Sequence, residues 1–225
     1  MPPHPQGFKL TPFTPAHIPE TAELLFTAKL GLTINRLLFK NWPNETVQRQ
    51  HYTAVLEDTS ASGIESLSVV DEVSGQVLGH LSITWRKPAG LESEDPKEES
   101  ERKIRGELSE VPAFFDPEVL AAVQAAVVEL GKGLEELDHL AITYIIVHPS
   151  HRGRGIGTAL MNYVFEKAKA LGIPITISSE PQVHKFFKKH GFQDTKRNVD
   201  FELEKWAPPF SGFGTFRLAG MIWYP

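Results

Sequence analysis

The residues best suited to chemistry lie in one run, His148-Pro149-Ser150-His151-Arg152-Gly153-Arg154-Gly155-Ile156-Gly157-Thr158. Three glycines in five positions let the backbone turn tightly and let a ligand approach the main chain. An apolar strand precedes the run and an amphipathic helical pattern follows it. The free amides of that helix, backed by the positive end of its dipole, favour an anion by ~0.3–1 kcal/mol. Arg152 and Arg154 add guanidinium donors matched to phosphate oxygens. A phosphate or pyrophosphate site follows. No Gly-Lys-Ser/Thr triplet exists, which excludes a Walker A loop. Gly153-x-Gly155-x-Gly157 has the wrong spacing for a dinucleotide fingerprint, and four residues separate it from the strand-end pair Val147-His148. The ~45 residues after Glu180 are also too few for a second dinucleotide-binding half.

Hydrophobic patterning supplies the elements that must position this loop. Residues 8–14 read as a short strand, 16–30 as a helix and about 44–57 as another. Residues 67–71 and 76–85 form a hairpin signal across Glu72-Val73-Ser74-Gly75. Asp116-Pro117 reads as the N-cap and first position of a helix that Gly131 ends. Residues 140–147 are rich in β-branched side chains and predict a buried strand. The helix after the loop runs to Leu171, followed by a strand at 174–179, a short helix at 182–190, and strands near 199–204 and 215–223. The order predicts a single α/β domain over residues 1–225, with a mixed, largely antiparallel sheet flanked by helices. Residues 86–138, a charged stretch and then a helix, read as an insertion between the third and fourth strands.

Arg152-x-x-Gly155-x-Gly157, preceded by Ile-Ile-Val-His-Pro and followed by Thr158-Ala-Leu-Met161, resembles the acetyl-CoA signature of the GNAT acetyltransferase superfamily. Phe186-Phe187-Lys-Lys-His-Gly191-Phe192, after a strand, resembles that family's second motif. The likeness covers nearly the whole chain, with its specific part at residues 140–192. It implies acetyl-CoA as co-substrate and no metal. The amides of Arg152, Gly153, Arg154, Gly155, Ile156 and Gly157 would hold the pyrophosphate, with Thr158 beside them. Main-chain groups of Ile145, Ile146 and Val147 would pair with the pantetheine arm, and Phe187 would lie near the coenzyme. A strand amide would steady the oxyanion that forms on the thioester carbonyl.

Acetyl transfer to an amine needs a proton acceptor and a group to protonate the leaving thiolate. Many relatives carry a tyrosine before the Gly-Phe pair, where this chain has Phe187. Strand positions that often hold a base are here Ala141 and Thr143. Alternation of period two places His139, Ala141, Thr143, Ile145 and Val147 on one, more polar face. His139 is then the nearest ionisable candidate, with Thr143 beside it. A bulge would reverse the faces and bring in Tyr144. Ser179, Glu180 and His184, after the next strand, are the candidates for acceptor contact.

Composition narrows the class. The absence of cysteine excludes disulfides, thiolate metal sites and a cysteine nucleophile. Eight acids and four bases within 92–110 account for −4 of the net charge of −5. The near-neutral remainder does not fit a nucleic-acid binder. No apolar run reaches the ~20 residues of a membrane span, and the first ten residues do not read as a signal peptide, so a cytoplasmic protein is expected. The expected activity is an N-acetyltransferase acting on a small-molecule primary amine by direct attack in a ternary complex. The acidic insertion points to a cationic acceptor such as a polyamine. The alternatives are a non-catalytic acyl-CoA-binding sensor and a protein N-acetyltransferase; either a monomer or a homodimer is compatible.

Overall fold

The computed structural model describes residues 7–88 and 111–225. The acidic run 92–110 lies outside the described residues, whereas Phe114 and Phe115 after it are described. One sheet of seven strands organises the described residues: β1 (Phe8–Pro12), β2 (Glu65–Asp71), β3 (Val77–Arg86), β4 (His139–Val147), β5 (Ile175–Ser179), β6 (Gln193–Glu202) and β7 (Thr215–Trp223). Their spatial order is β1-β2-β3-β4-β5-β7-β6. Every pairing is antiparallel except β4 with β5. The helices are α1 (Ile18–Lys29), α2 (Asn35–Leu38), α3 (Glu45–Ala61), α4 (Pro117–Gly131), α5 (Ile156–Leu171) and α6 (Pro181–Lys189).

The helix boundaries follow local chemistry. Asp116 caps α4 by accepting from the amides of Glu118 at 3.0 Å and Val119 at 3.1 Å, with Pro117 in the first turn. Asn44 caps α3 through the amide of Val47. Gly172, at φ +68°, ends α5 with its N–H shared between the carbonyls of Ala168 and Lys169. Ile156, Leu160, Met161, Val164 and Ala168 fall on one face of α5 and are all buried.

Among the described residues, three apolar clusters hold the layers together. The largest lies between α5, α6 and one face of β2–β5. A second packs α1 and α3 against the opposite face of β3 and β4. A third joins α4 to β6 and β7, with Leu38 packed against both of the last two. The helix at 117–131 is thus a wall on the sheet, which resolves the described part of the insertion.

Two strands differ from the sequence expectation. β6 begins at Gln193, not near 199, because its polar first half is an edge segment interrupted by an irregularity between Asp194 and Asn198. In β4, Ser82 pairs with Tyr144 but Ile83 pairs with Ile142, which leaves Thr143 as an extra, exposed residue. This bulge breaks the period of two. Leu140 and Ile142 face the α5 cluster, as do Ile145 and Val147 beyond the bulge, whereas Tyr144 and Ile146 face α1 and α3. The single face of odd-numbered residues from His139 to Val147 is therefore corrected.

Gly79 in β3 fixes how closely α5 approaches the sheet. A Cβ there would lie 2.9 Å from the carbonyl oxygen of Ile146 and 3.2 Å from Ile156 Cγ2. We expect Gly79→Ala to cost about 1–3 kcal/mol, read as a lower midpoint in thermal unfolding. An unchanged midpoint would show that β4 and α5 can separate freely.

Candidate active site

β4 and β5 run parallel but pair only at Leu140 with Ile175 and Ala141 with Thr176. Beyond these residues β5 stays with β7 along its full length, and β4 stays with β3. The two strands splay, so main-chain groups of β4 after Ala141 face a gap instead of a neighbouring strand. An extended ligand can add there as a strand would.

At the end of β4 a 3-10 turn at Pro149–His151 leads to the glycines. The Ser150 N–H donates to His148 Nδ1 at 3.3 Å, which steadies the turn. Gly153 at φ +77° and Gly155 at φ +84° occupy the left-handed region that side chains disfavour. Gly155 is the N-cap of α5 and has no side chain to satisfy the first-turn amides. Arg152, Gly153, Arg154 and Gly155 are exposed around that terminus. The loop therefore presents outward amides, a positive dipole end and two guanidinium groups to solvent, a cradle that fits a pyrophosphate. Gly157 serves packing: a Cβ there would lie 3.2 Å from the Phe186 ring on α6. Thr158 Oγ1 lies 3.2 Å from His190 Nε2, and the His190 ring packs on Phe186 at 4.3 Å.

On the α1 and α3 side of the sheet is a cavity of about 260 Å³. Leu32, Ile34, Leu38, Phe39, His51 and Tyr52 line it from the N-terminal helices and their connections. Phe115 and Val123 close it from the insertion, and Phe216 and Leu218 from β7. Tyr144 of β4 and Glu180, the residue after β5, bring it to the mouth of the splay. Lys29 at the end of α1 forms an ion pair with Glu180 inside this wall. The second oxygen of Glu180 accepts from Gln182 Nε2 at 2.7 Å.

Burial sets the proton states here. Desolvation raises the Tyr144 phenol above its ordinary value, so it stays protonated. Desolvation likewise raises Tyr52, with the nearby Tyr144 and Glu180 adding to the effect. His51, enclosed by the rings of Phe39, Tyr52, Phe114 and Phe115, is pushed down to about 4 by burial. His80, fully buried in β3 with Nε2 at 2.9 Å from Ser82 Oγ, is also pushed down to about 4, chiefly by desolvation. An unfolded histidine titrates near 6.5, so between pH 6.5 and 4 the unfolded chain binds more protons. Stability contributed by burying these neutral rings is complete above that window and falls as pH drops through it. We expect a loss of about 2 kcal/mol for each ring between pH 7.5 and 5, measured by urea unfolding. His51→Phe should remove that ring's share of the slope; an unaltered slope would refute the assignment.

The candidates from the sequence separate in space. Tyr144 and Glu180 meet at the cavity, whereas His139 and Thr143 lie outside its wall. His139 is buried, with Nδ1 2.6 Å from the Leu137 carbonyl oxygen. Ser179 is buried beside Glu180 and donates through Oγ to the Glu180 carbonyl at 3.3 Å. His184 Nε2 lies 2.6 Å from Asp194 Oδ1 on the α6 surface, away from the cavity wall. Phe187 is wholly buried between Phe186 and Phe192. Sequence reasoning missed Lys29, His51, Tyr52 and Phe115. They carry no motif and converge only through the packing of three separate segments.

A family model described as Acetyltransferase (GNAT) family matches residues 33–192. No curated protein matches the sequence. Among solved structures, one reported as histone acetyltransferase HPA2 and related acetyltransferase from Corynebacterium glutamicum is 18% identical, with TM-score 0.57, covering 98% of this chain and 97% of that one. A mosquito arylalkylamine N-acetyltransferase like 5b is 15% identical, with TM-score 0.60 and coverage of 97% and 100%. The protein yncA from Salmonella typhimurium, solved with its cofactor acetyl-CoA, is 16% identical, with TM-score 0.52 and coverage of 97% and 94%. These likenesses share the fold. The family match spans well over half of the chain and ends at Phe192, where the second sequence motif also ends, and the chain belongs to the acetyltransferase (GNAT) family.

Proposed function

We propose that residues 1–225 form one catalytic domain that moves an acetyl group from acetyl-CoA to the primary amine of a small molecule, in a ternary complex. As a member of this family the chain uses acetyl-CoA as co-substrate, which supplies an acyl group activated as a thioester. The observation that carries the choice of acceptor is the cavity of about 260 Å³ at the mouth of the β4–β5 splay. A half-open pocket of that size, walled by Phe39, His51, Tyr52 and Phe115, matches the volume of a small amine more closely than that of a protein segment. The amides from Arg152 to Gly157, with Thr158 beside them, would hold the pyrophosphate, and the open edge at Ile145, Ile146 and Val147 would hold the arm.

Within the cavity Glu180, held by Lys29 and Gln182, keeps a free lone pair on each oxygen that can take the proton of the attacking amine. Tyr144, kept protonated by burial, holds a proton for the departing sulfur. His139 and Thr143 are second-rank candidates, since neither lines the cavity. The proposal places the enzyme in the cytoplasm as a monomer or a homodimer; no helix among the described residues is long and apolar enough to cross a membrane. The test is coenzyme A release with a panel of small amines and amino-terminal peptides. Turnover with small amines supports the proposal; turnover with peptides alone would transfer it to protein acetylation. Phe187, which has no hydroxyl at the position where many relatives carry an acid, favours the second reading of acyl-CoA binding without turnover. Acetyl-CoA binding with no coenzyme A release for any acceptor would establish that reading.

A further inference from the structure

Charge in the cavity is arranged in an unexpected way for a cationic acceptor. Among the described residues, Glu180 is the one carboxylate in the wall, and its oxygens are already engaged by Lys29 and Gln182. Lys29 and Glu180 are each about one-fifth exposed, so the pair is shielded from water and from salt. The remaining wall is aromatic and aliphatic apart from Asn35, whose amide nitrogen donates to the Lys29 carbonyl. A simple amine enters as a monocation and gives up its charge at the reacting end. A diamine brings a second ammonium, whose ordinary pKa is near that of lysine at ~10.4, and it keeps that charge. It must place it in an apolar space that already holds the ammonium of Lys29. Aromatic faces attract cations, but the one carboxylate of the wall is already paired with the ammonium of Lys29.

We infer that Lys29 is a specificity-determining residue: by occupying Glu180 it selects monoamines with an apolar remainder and turns away diamines and polyamines. This inference rests on the proposed function. It reverses the polyamine expectation, whose basis was the acidic run 92–110 outside the described residues. The two ends of the ion pair come from elements far apart in the chain, the α1 C-terminus and the residue after β5. The pair therefore exists only in the folded protein.

Hexylamine and hexamethylenediamine have the same chain and differ by one ammonium, which makes them the appropriate pair of probes. Steady-state kcat and KM are measured for both, on the parent and on Lys29→Met, Lys29→Arg and Glu180→Gln. The parent should prefer hexylamine in kcat/KM by about tenfold or more, chiefly through KM. Lys29→Met leaves Glu180 free and should shift the ratio toward the diamine by about tenfold or more. Lys29→Arg should restore the parent's order. Glu180→Gln leaves Lys29 uncompensated and should weaken both acceptors, the diamine more. Thermal unfolding of each variant separates a lost fold from a changed preference. A parent that prefers the diamine, or a ratio that Lys29→Met leaves unmoved while turnover persists, overturns the inference and leaves the proposed function standing. Absence of turnover with every amine overturns the proposed function, and this inference with it.

Discussion

Gly155→Glu should weaken acetyl-CoA binding about 100-fold, a loss of roughly 2.7 kcal/mol. Two effects combine. Gly155 sits at φ +84° as the N-cap of α5, so any side chain strains the backbone by about 1–3 kcal/mol. Glutamate also sets an anion among the amides that would receive the pyrophosphate, opposing the helix dipole and the two arginines. Gly155→Ala separates the terms, since it imposes the strain without the charge; we expect a loss of about tenfold. Titration calorimetry with each protein reads both values, and circular dichroism checks that α5 persists. Equal losses for Ala and Glu would show that backbone shape alone carries the site. Retained affinity in Gly155→Glu would remove the loop from the coenzyme site.

Tyr144→Phe should lower kcat by about 10²–10³ with little change in KM for the amine. The substitution keeps the ring that packs against the α1 and α3 cluster and removes only the hydroxyl. Burial raises the Tyr144 pKa above the ordinary phenol value. The parent's kcat should therefore hold through pH 10 and fall only where that hydroxyl ionises. The variant should lack that alkaline limb, because no tyrosine remains there to lose a proton. A kcat within twofold of the parent would assign the proton to another group or to water. His139→Gln and Thr143→Val, on the same strand but outside the cavity wall, are the comparison, with smaller expected effects.

The glycine loop was legible because its demands are local. Positive φ at Gly153 and Gly155, a strand before and a helix after follow from residue types within twenty positions of one another. The cap at Asp116 was equally readable, since its short carboxylate meets amides two or three residues on. The faces of β4 were not readable. Whether Thr143 is paired or bulged depends on register against β3, and a strand's own residues do not state their partner's register. One extra residue moved Tyr144 to the cavity and away from the α5 face.

By itself the sequence determined the order of the strands and the longer helices, the position of the glycine loop and the family to which its motifs point. Each of these rests on contacts between residues close in the chain. Tertiary structure alone decided the cavity proposed for the acceptor. The cavity wall combines α1, α3, the flank of α4, β4, β7 and the residue after β5. Its ion pair joins Lys29 to Glu180, 151 positions apart. No periodicity or spacing encodes such a meeting. It arises because α1 packs on the splayed sheet to which β5 belongs, where burial removes the water that would otherwise separate two charges.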